Sequence, residues 1–584
     1  MTDSTLFLAG NTPDAPRSDL PGLLTALAAD LRRVEYTLDG VATLLGESAY
    51  RALNRDQLIP ALLATENALQ NDAAKGGTAN GESTTAALAA VVGLWLLAEP
   101  QKREALDAAL PGIRAAGLVE LGLLEPVPGA DLPGPDQSAQ DLMQAKADLR
   151  PYGWEGTEGE DTVSSGGAEL WVASDLAAHQ QAGVLRHDHV LGIGQASTTL
   201  VQTTVRRHVA KALDLGTGCG IQSFHLLHHA EHVTATDISA RALAFTRFNL
   251  LLNAEALHLD PDRLEDRVSL RLGSLLEPVA GEEFELVVSN PPFVITPRTL
   301  GEHASGQFTY RDGGLPGDDI VSSLVAALPG ALAPGGTAQL LGNWEIPAGT
   351  EWHERPKSWI GPGSDAWFIQ REQVGPEQYA ETWLQDASES RDRKHYRDAY
   401  AAYLADFASR NVAGIGFGMI WLRRPPVTGQ VAGPDAGRGT ASISRFEEIT
   451  YPIEQPIGPH LGAAVERSDW LAANSLADAH LLVADDVTEE RHQRPGAEHP
   501  GVILLRQGAG LRRTNLLSTQ LAGFVSACDG DLSVGQIIGA LAALLGGSLA
   551  GEDGFDAGAF RTRLLGDVAN LVSDGFLVPS EPAE

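Results

Sequence analysis

The chain is 584 residues long, with 43% hydrophobic and 20% charged residues, which places it among ordinary globular proteins and excludes a wholly disordered one. Its 42 Lys and Arg stand against 76 Asp and Glu, a net charge of −34, which excludes broad non-specific binding to nucleic acid or an anionic membrane, since both need a positive surface. The two cysteines, Cys219 and Cys528, exclude a disulfide framework and a structural zinc site.

Residues 1–130 read as a helical domain. Leu23, Leu24, Leu27 and Leu31 recur at helical spacing, as do Leu58, Leu62, Leu63 and Leu69. The opening run MTDSTLFLAGNTPDAP has no basic stretch followed by an apolar core, so no secretory signal is expected, and a reduced, cytoplasmic setting is the default. The most apolar run, Ala86 to Ala98, is shorter than the ~18 residues of a membrane span and predicts a buried core helix. Residues 131–199 are expected to hold a Pro- and Gly-rich linker and a small β module containing the run ELWVAS (Glu169 to Ser174).

Between residues 200 and 452 short apolar runs alternate with helical ones: KALDLG, HVTATD, SARALAFTRFNLLLNA, RVSLRLG, FELVVSN, DDIVSSLVAALPGAL and GGTAQLLGNW. In the third of these, Leu243, Phe248, Leu251 and Leu252 mark the helical face. Such alternation predicts an α/β, doubly wound, mostly parallel sheet covered on both faces. The runs AGIGFGMIWLRR and TASISRFEEI are expected to close it as a long antiparallel hairpin. Residues 453–584 then offer a strand (VILLRQ), three helices and a closing strand (FLVP), the element order of a winged-helix-like domain. Docking to a partner or nucleic acid is one use for it; packing or dimerisation is the favoured one.

Three blocks carry chemistry. Asp214-Leu215-Gly216-Thr217-Gly218-Cys219-Gly220 lies where a strand meets a helix, and its glycines let the backbone turn sharply and approach a ligand. Asp237 ends the next strand, 21 residues after Gly216, near the offset at which a carboxylate holds ribose hydroxyls; it can also serve as a cap of the following helix. Together these favour an adenosine-type ligand. Asn290-Pro291-Pro292-Phe293 follows FELVVS directly. Two prolines fix φ and cannot donate, so the turn is stiff and presents carbonyls and the Asn290 amide from the end of a strand. Asn290 Oδ1 and the Pro291 carbonyl can accept both hydrogens of a planar NH2 group, and Phe293 can stack on it.

On these residues the segment 200–452 resembles a class I S-adenosylmethionine-dependent methyltransferase of the Asn-Pro-Pro-aromatic branch. That branch includes release-factor glutamine methyltransferases, small-domain ribosomal RNA guanine methyltransferases and adenine N6-methyltransferases. The resemblance implies a Rossmann-like seven-stranded sheet and S-adenosylmethionine as cofactor. It implies cofactor contacts from Asp214, Gly216, Thr217, Gly218, Gly220, Asp237, Ile238 and Asn290, and a catalytic Asn290-Pro291-Pro292-Phe293 corner. The run Gly194 to Thr199 takes the place of the family's cofactor lid. Where the family carries an acid for the adenine amino group, this chain has Ser274, a departure that weakens that contact or moves it elsewhere. Tyr310 to Leu315 resembles a Gly-Gly segment of the glutamine methyltransferases. The implied acceptor is a planar nitrogen: first a glutamine side chain of a protein, then an exocyclic base amine of rRNA or tRNA. A non-catalytic cofactor-binding assembly factor is the third reading. Methyl transfer of this kind calls for no metal, and no metal site is expected.

Three other features have mainly structural readings. His225, His228 and His229 are expected on a helix surface. Trp344, Trp352, Trp359, Trp367 and Trp383 are expected in a packed insertion rather than on a base or peptide. The basic residues Arg391, Arg393, Lys394, Arg397, Arg410, Arg423 and Arg424 are expected to pair with the chain's own carboxylates before they meet RNA.

Overall fold

The computed structural model describes residues 7, 10–53, 55, 57–74, 84–128, 141–155, 167–178, 180–181, 185–297, 314–386, 393–426, 443–548 and 556–580. The N-terminal region contains the helices Pro21–Arg33, Leu38–Leu53, Ile59–Ala74, Thr84–Trp95, Arg103–Ala109 and Arg114–Glu120. The apolar run is the helix Thr84–Trp95, in which Ala87 to Trp95 are all buried, as expected of a core helix. No helix among the described residues is long and apolar enough to cross a membrane.

An antiparallel hairpin, Asp148–Trp154 with Ala168–Ser174, leads into the central domain. It is held from below by side chains rather than by a third strand. Asn249 Nδ2 donates to the Ala173 carbonyl and Asn253 Nδ2 to the Trp171 carbonyl, while their Oδ1 atoms accept the Ala173 and Trp171 N–H groups. Trp171 Nε1 donates to the carbonyl of Tyr36 at 2.7 Å, which ties in the N-terminal helices. Apolar residues of these helices, the hairpin and one face of the central sheet share a single core.

The strands of the central sheet are numbered here along the chain: β1 (Val209–Leu215), β2 (Ala230–Asp237), β3 (Val268–Leu272), β4 (Phe284–Ser289), β5 (Leu332–Pro347), β6 (Asp365–Val374), β7 (Val412–Arg423) and β8 (Ser444–Glu448). Their spatial order is β3-β2-β1-β4-β5-β7-β6-β8. Strands β3, β2, β1, β4 and β5 are parallel; β7 runs antiparallel to both β5 and β6. Chain order reverses between β1 and β4, and open α/β sheets bind ligands beyond the strand ends at such a reversal.

Two expectations are corrected. Among the described residues the sheet has eight strands, not seven. The β7–β8 hairpin does not form: β7 is inserted between β5 and β6, and β8 pairs in parallel with β6. The composition gives the reason. Strand β7 ends in the buried run Met419 to Leu422 and suits a covered position, whereas β8 carries Arg445, Glu447 and Glu448 and suits an edge. Phe446 turns inward, stacked on Phe368 at 5.4 Å.

The helices that matter for the site are α1 (Gln195–Thr203), α2 (Ile221–Leu226), α3 (Ala240–Leu252) and α4 (Asp319–Ala327). Between β6 and β7 the chain inserts α5 (Pro376–Asp386) and α6 (Arg393–Ser409), which build a small core of their own. Beyond β8 come a helix Gly458–Ala473, helices Thr519–Val525, Val534–Ser548 and Ala557–Asp574, and two three-stranded sheets. The strands His480–Val483 and Val487–His492 have no counterpart in the sequence reading. This region has a separate core. It is fastened to the sheet by Arg423, buried between Asp365 and Asp469, and by Arg445 and Arg513 around Glu447 and Asp574.

Three residues of the basic stretch pair internally: Arg410 with Glu345 and Asp406, Arg423 with Asp365 and Asp469, Arg424 with Glu283. Arg391 lies outside the described residues. Trp344 and Trp367 are buried, and Trp352, Trp359 and Trp383 pack against adjacent cores, so the tryptophans are packing residues.

Candidate active site

The Gly-rich turn follows β1. Gly216, Gly218 and Gly220 have φ of +77°, +59° and +95°, a backbone that a side chain would strain. The turn is held on both sides. Gly216 and Thr217 N–H groups donate to the Thr236 carbonyl at 2.9 Å, and Thr246 Oγ1 donates to the Gly218 carbonyl at 2.9 Å. A Cβ on Gly220 would meet Thr246 Cγ2 at 3.2 Å, whereas the Cβ positions of Gly216 and Gly218 look onto open space.

Asp237, at the tip of β2, accepts the Gly218 N–H through Oδ2 at 3.0 Å and the Ser239 N–H through Oδ1 at 2.8 Å. Each carboxylate oxygen keeps a further lone pair, enough for two ribose hydroxyls. Burial pushes this carboxyl above its ordinary pKa, against the pull of those N–H bonds. Next to it on β1, Asp214 is 1% exposed and accepts from Thr217 Oγ1 at 2.7 Å and Ser223 Oγ at 2.6 Å. Burial raises its pKa to about 6. Asp214 therefore braces the turn from beneath.

The corner after β4 is where the third block was expected. Ser289 Oγ donates to the Leu215 carbonyl at 2.7 Å, which locks the end of β4 to the end of β1. Asn290 Oδ1 is buried and has no hydrogen-bond partner among the described residues. A buried amide oxygen without a donor is costly, on the order of 1–3 kcal/mol, and such an atom is expected where a ligand completes it.

A cavity of about 850 Å³ opens over these strand ends. Of the predicted residues, Gly216, Thr217, Gly218, Asp237, Ile238, Ser274, Asn290, Pro291 and Pro292 line it together. Gly194, Ala196 and Ser197 of the expected lid line it as well, and Gln222 Nε2 holds that segment through the Ser197 carbonyl at 2.9 Å. Three predicted residues do not line the cavity. Asp214 and Gly220 act behind the turn, as described above. Phe293 is half-buried and packs against the apolar cores on both sides of the sheet. Tyr310 to Gly313 lie outside the described residues, while Gly314 and Leu315 line the cavity.

The structure adds lining residues that the motifs did not reveal: Asp148, Arg150, Asp175, His189 and Leu191. The only sequence trace was the alternation of Asp148, Arg150 and Tyr152 along one strand. The histidine reading is corrected. His225 and His229 are 6% and 3% exposed; the hairpin covers His225, whose Nε2 is 2.7 Å from Tyr152 Oη, and His229 Nδ1 lies 3.0 Å from the Arg207 carbonyl. Burial lowers the pKa of both, that of His229 to about 4. No cluster of potential metal ligands occurs among the described residues.

These groups fit the cofactor that the motifs imply. The open glycine floor admits close backbone approach, Asp237 suits a ribose, and a cavity rich in carboxylates suits a sulfonium cation.

Residues 175–304 match the family model "Methyltransferase small domain", and residues 33–133 match a "Domain of unknown function (DUF7059)". A release factor glutamine methyltransferase of Geobacter sulfurreducens is 29% identical over 29% of this chain and 56% of its own length. A ribosomal protein uL3 glutamine methyltransferase of Bradyrhizobium diazoefficiens is 29% identical over 26% of this chain and 46% of its own length. A ribosomal RNA small subunit methyltransferase C of Alcanivorax borkumensis is 29% identical over 32% of this chain and 49% of its own length. Among solved structures, a methyltransferase from Pyrococcus furiosus covers 42% of this chain and 90% of its own, at 15% identity and a TM-score of 0.23. The chain spans about half the length of these curated relatives.

Proposed function

We propose that the chain, whose residues 175–304 match a methyltransferase small domain, is a class I S-adenosylmethionine-dependent N-methyltransferase acting on a planar nitrogen. The observation that carries this reading is the buried, unpartnered Asn290 Oδ1 on the same cavity as the Gly216–Gly218 turn. The bound cofactor supplies an electrophilic methyl group on a sulfonium. The Gly216–Gly218 backbone and Asp237 hold it at the tips of β1 and β2. Ile238, 60% exposed, and Ser274 border the cavity where the adenine is expected.

Asn290 Oδ1 and the Pro291 carbonyl accept the N–H bonds of the incoming nitrogen. Two acceptors in one plane turn the nitrogen lone pair towards the methyl group and stabilise the N–H bonds as they become acidic. Positioning of this kind is worth several kcal/mol of barrier, on the order of 10³-fold in rate. The proton leaves after transfer, so no strong base is required beside the nitrogen.

The acceptor class we favour is a glutamine side-chain amide of a protein. Two relatives named for glutamine methylation and the net charge of −34 support it. A base amine of ribosomal RNA is the second reading, supported by the relative named for rRNA. The C-terminal helices and strands are proposed as a winged-helix-like unit for packing or dimerisation. Incubation with methyl-labelled cofactor and a fractionated lysate, with and without RNase, tests the reading. Label that survives RNase and is lost to protease supports the amide. Label lost to RNase supports the base, and no label in either fraction contradicts methyl transfer.

A further inference from the structure

The cavity continues past the motif residues to a wall that the methyltransferase motifs do not supply. That wall is Asp148 and Arg150, on the hairpin strand Asp148–Trp154. Alternate residues of a strand share a face, so Asp148, Arg150 and Tyr152 point the same way. Tyr152 meets His225 in the last turn of α2. Two residues of strand advance about 6.6 Å, and four residues of helix about 6 Å. Stepping back from Tyr152 therefore carries Arg150 to the first residues of α2, Ile221 and Gln222, and Asp148 towards the Gly218–Cys219 turn. All of these line the same cavity.

Arg150 is the one lysine or arginine among the described residues that line it. The other charged groups are accounted for. Asp175 accepts from Arg241 at 2.6 Å and from the Val190 N–H at 2.8 Å, with His189 3.7 Å away. Asp237 accepts from the Gly218 and Ser239 N–H groups. Arg150 Nε is hydrogen-bonded to Asp148 Oδ2, and the Asp148 side chain is 3% exposed, so the guanidinium is oriented from behind. A carboxylate entering a cavity this acidic needs a cation, and only one is present on its described wall.

We propose that Arg150 binds the α-carboxylate at the methionyl end of S-adenosylmethionine, with Asp148 orienting the guanidinium. This rests on the cofactor reading above. A hairpin outside residues 175–304 then completes the cofactor site, and the N-terminal helices that hold the hairpin become necessary for cofactor affinity.

Calorimetric titration of the full chain with S-adenosylhomocysteine and with 5′-methylthioadenosine, which lacks the amino-acid end, tests it. Arg150→Met should weaken S-adenosylhomocysteine by about tenfold to hundredfold and leave methylthioadenosine within about twofold. Arg150→Lys, which keeps the charge but not the fork, should fall between, and retained methylthioadenosine binding shows that each variant is folded. Equal losses for both ligands, or none for either, would overturn the assignment while leaving the cofactor reading in place. Failure of the wild-type chain to bind either nucleoside would overturn the cofactor reading and this assignment with it.

Discussion

The hydroxyl of Tyr379 accepts the backbone N–H of Ile295 at 2.8 Å, across 84 residues of sequence. Ile295 lies two residues beyond Phe293, so the insertion α5–α6 grips the chain just after the Asn-Pro-Pro corner. The same hydroxyl accepts from Asn343 Nδ2 at 3.0 Å. Its ring stacks on Phe417 at 5.7 Å and meets Phe407 edge-on at 5.5 Å. Burial raises the phenol pKa well above its ordinary value, so it stays neutral at any working pH. Removal of the hydroxyl in Tyr379→Phe strands two buried donors. Urea denaturation should show a loss of about 1–3 kcal/mol. Cofactor affinity should stay unchanged while turnover falls, because the corner loses its backing. Wild-type turnover in the variant would show that the corner is rigid without the insertion.

Asp237→Asn keeps the shape of the side chain but exchanges an acceptor oxygen for a donor. The Gly218 or Ser239 N–H then faces an NH2 group, and one ribose contact is lost. Cofactor affinity is expected to fall about tenfold or more, at least ~1.4 kcal/mol. Calorimetric titration checks this, and an unchanged dissociation constant would remove Asp237 from the ribose.

Asp214 gives a pH dependence of defined sign. Its folded pKa is raised to about 6, above the unfolded value. Its contribution to stability is therefore full below about pH 4 and is lost as pH rises through 6, by up to roughly 3 kcal/mol for a shift of two units. Asp214→Asn removes this titration and still accepts from Thr217 and Ser223. The difference in stability between variant and wild type should shift in favour of the variant between pH 4 and 7. Parallel stability curves across that range would contradict a buried, titrating Asp214.

What the sequence revealed is what the backbone demands locally. Gly216 and Gly218 stand at positive φ, where only glycine is unstrained, and the diproline fixes its own corner, so both were readable as motifs. Asp237 was readable because its distance from the turn is set by one helix and one strand. The rest depends on contacts between distant segments. Nothing around His225 foretells a hairpin from residues 148–174 lying over it, and local alternation cannot distinguish β8 pairing with β7 from pairing with β6. The packing of the Phe293 ring against two cores is likewise a long-range contact that the motif does not foretell. Arg150 lies outside every motif and reaches the cavity only through the packing of the hairpin on α2.

The most direct test of the central claim separates binding from chemistry at Asn290. Cofactor affinity and methyl transfer to lysate acceptors should be measured side by side for wild type and Asn290→Ala. The account predicts affinity within about tenfold (~1.4 kcal/mol) and transfer reduced to background. Transfer at the wild-type rate by the variant, with cofactor still bound, would contradict the role given to the corner.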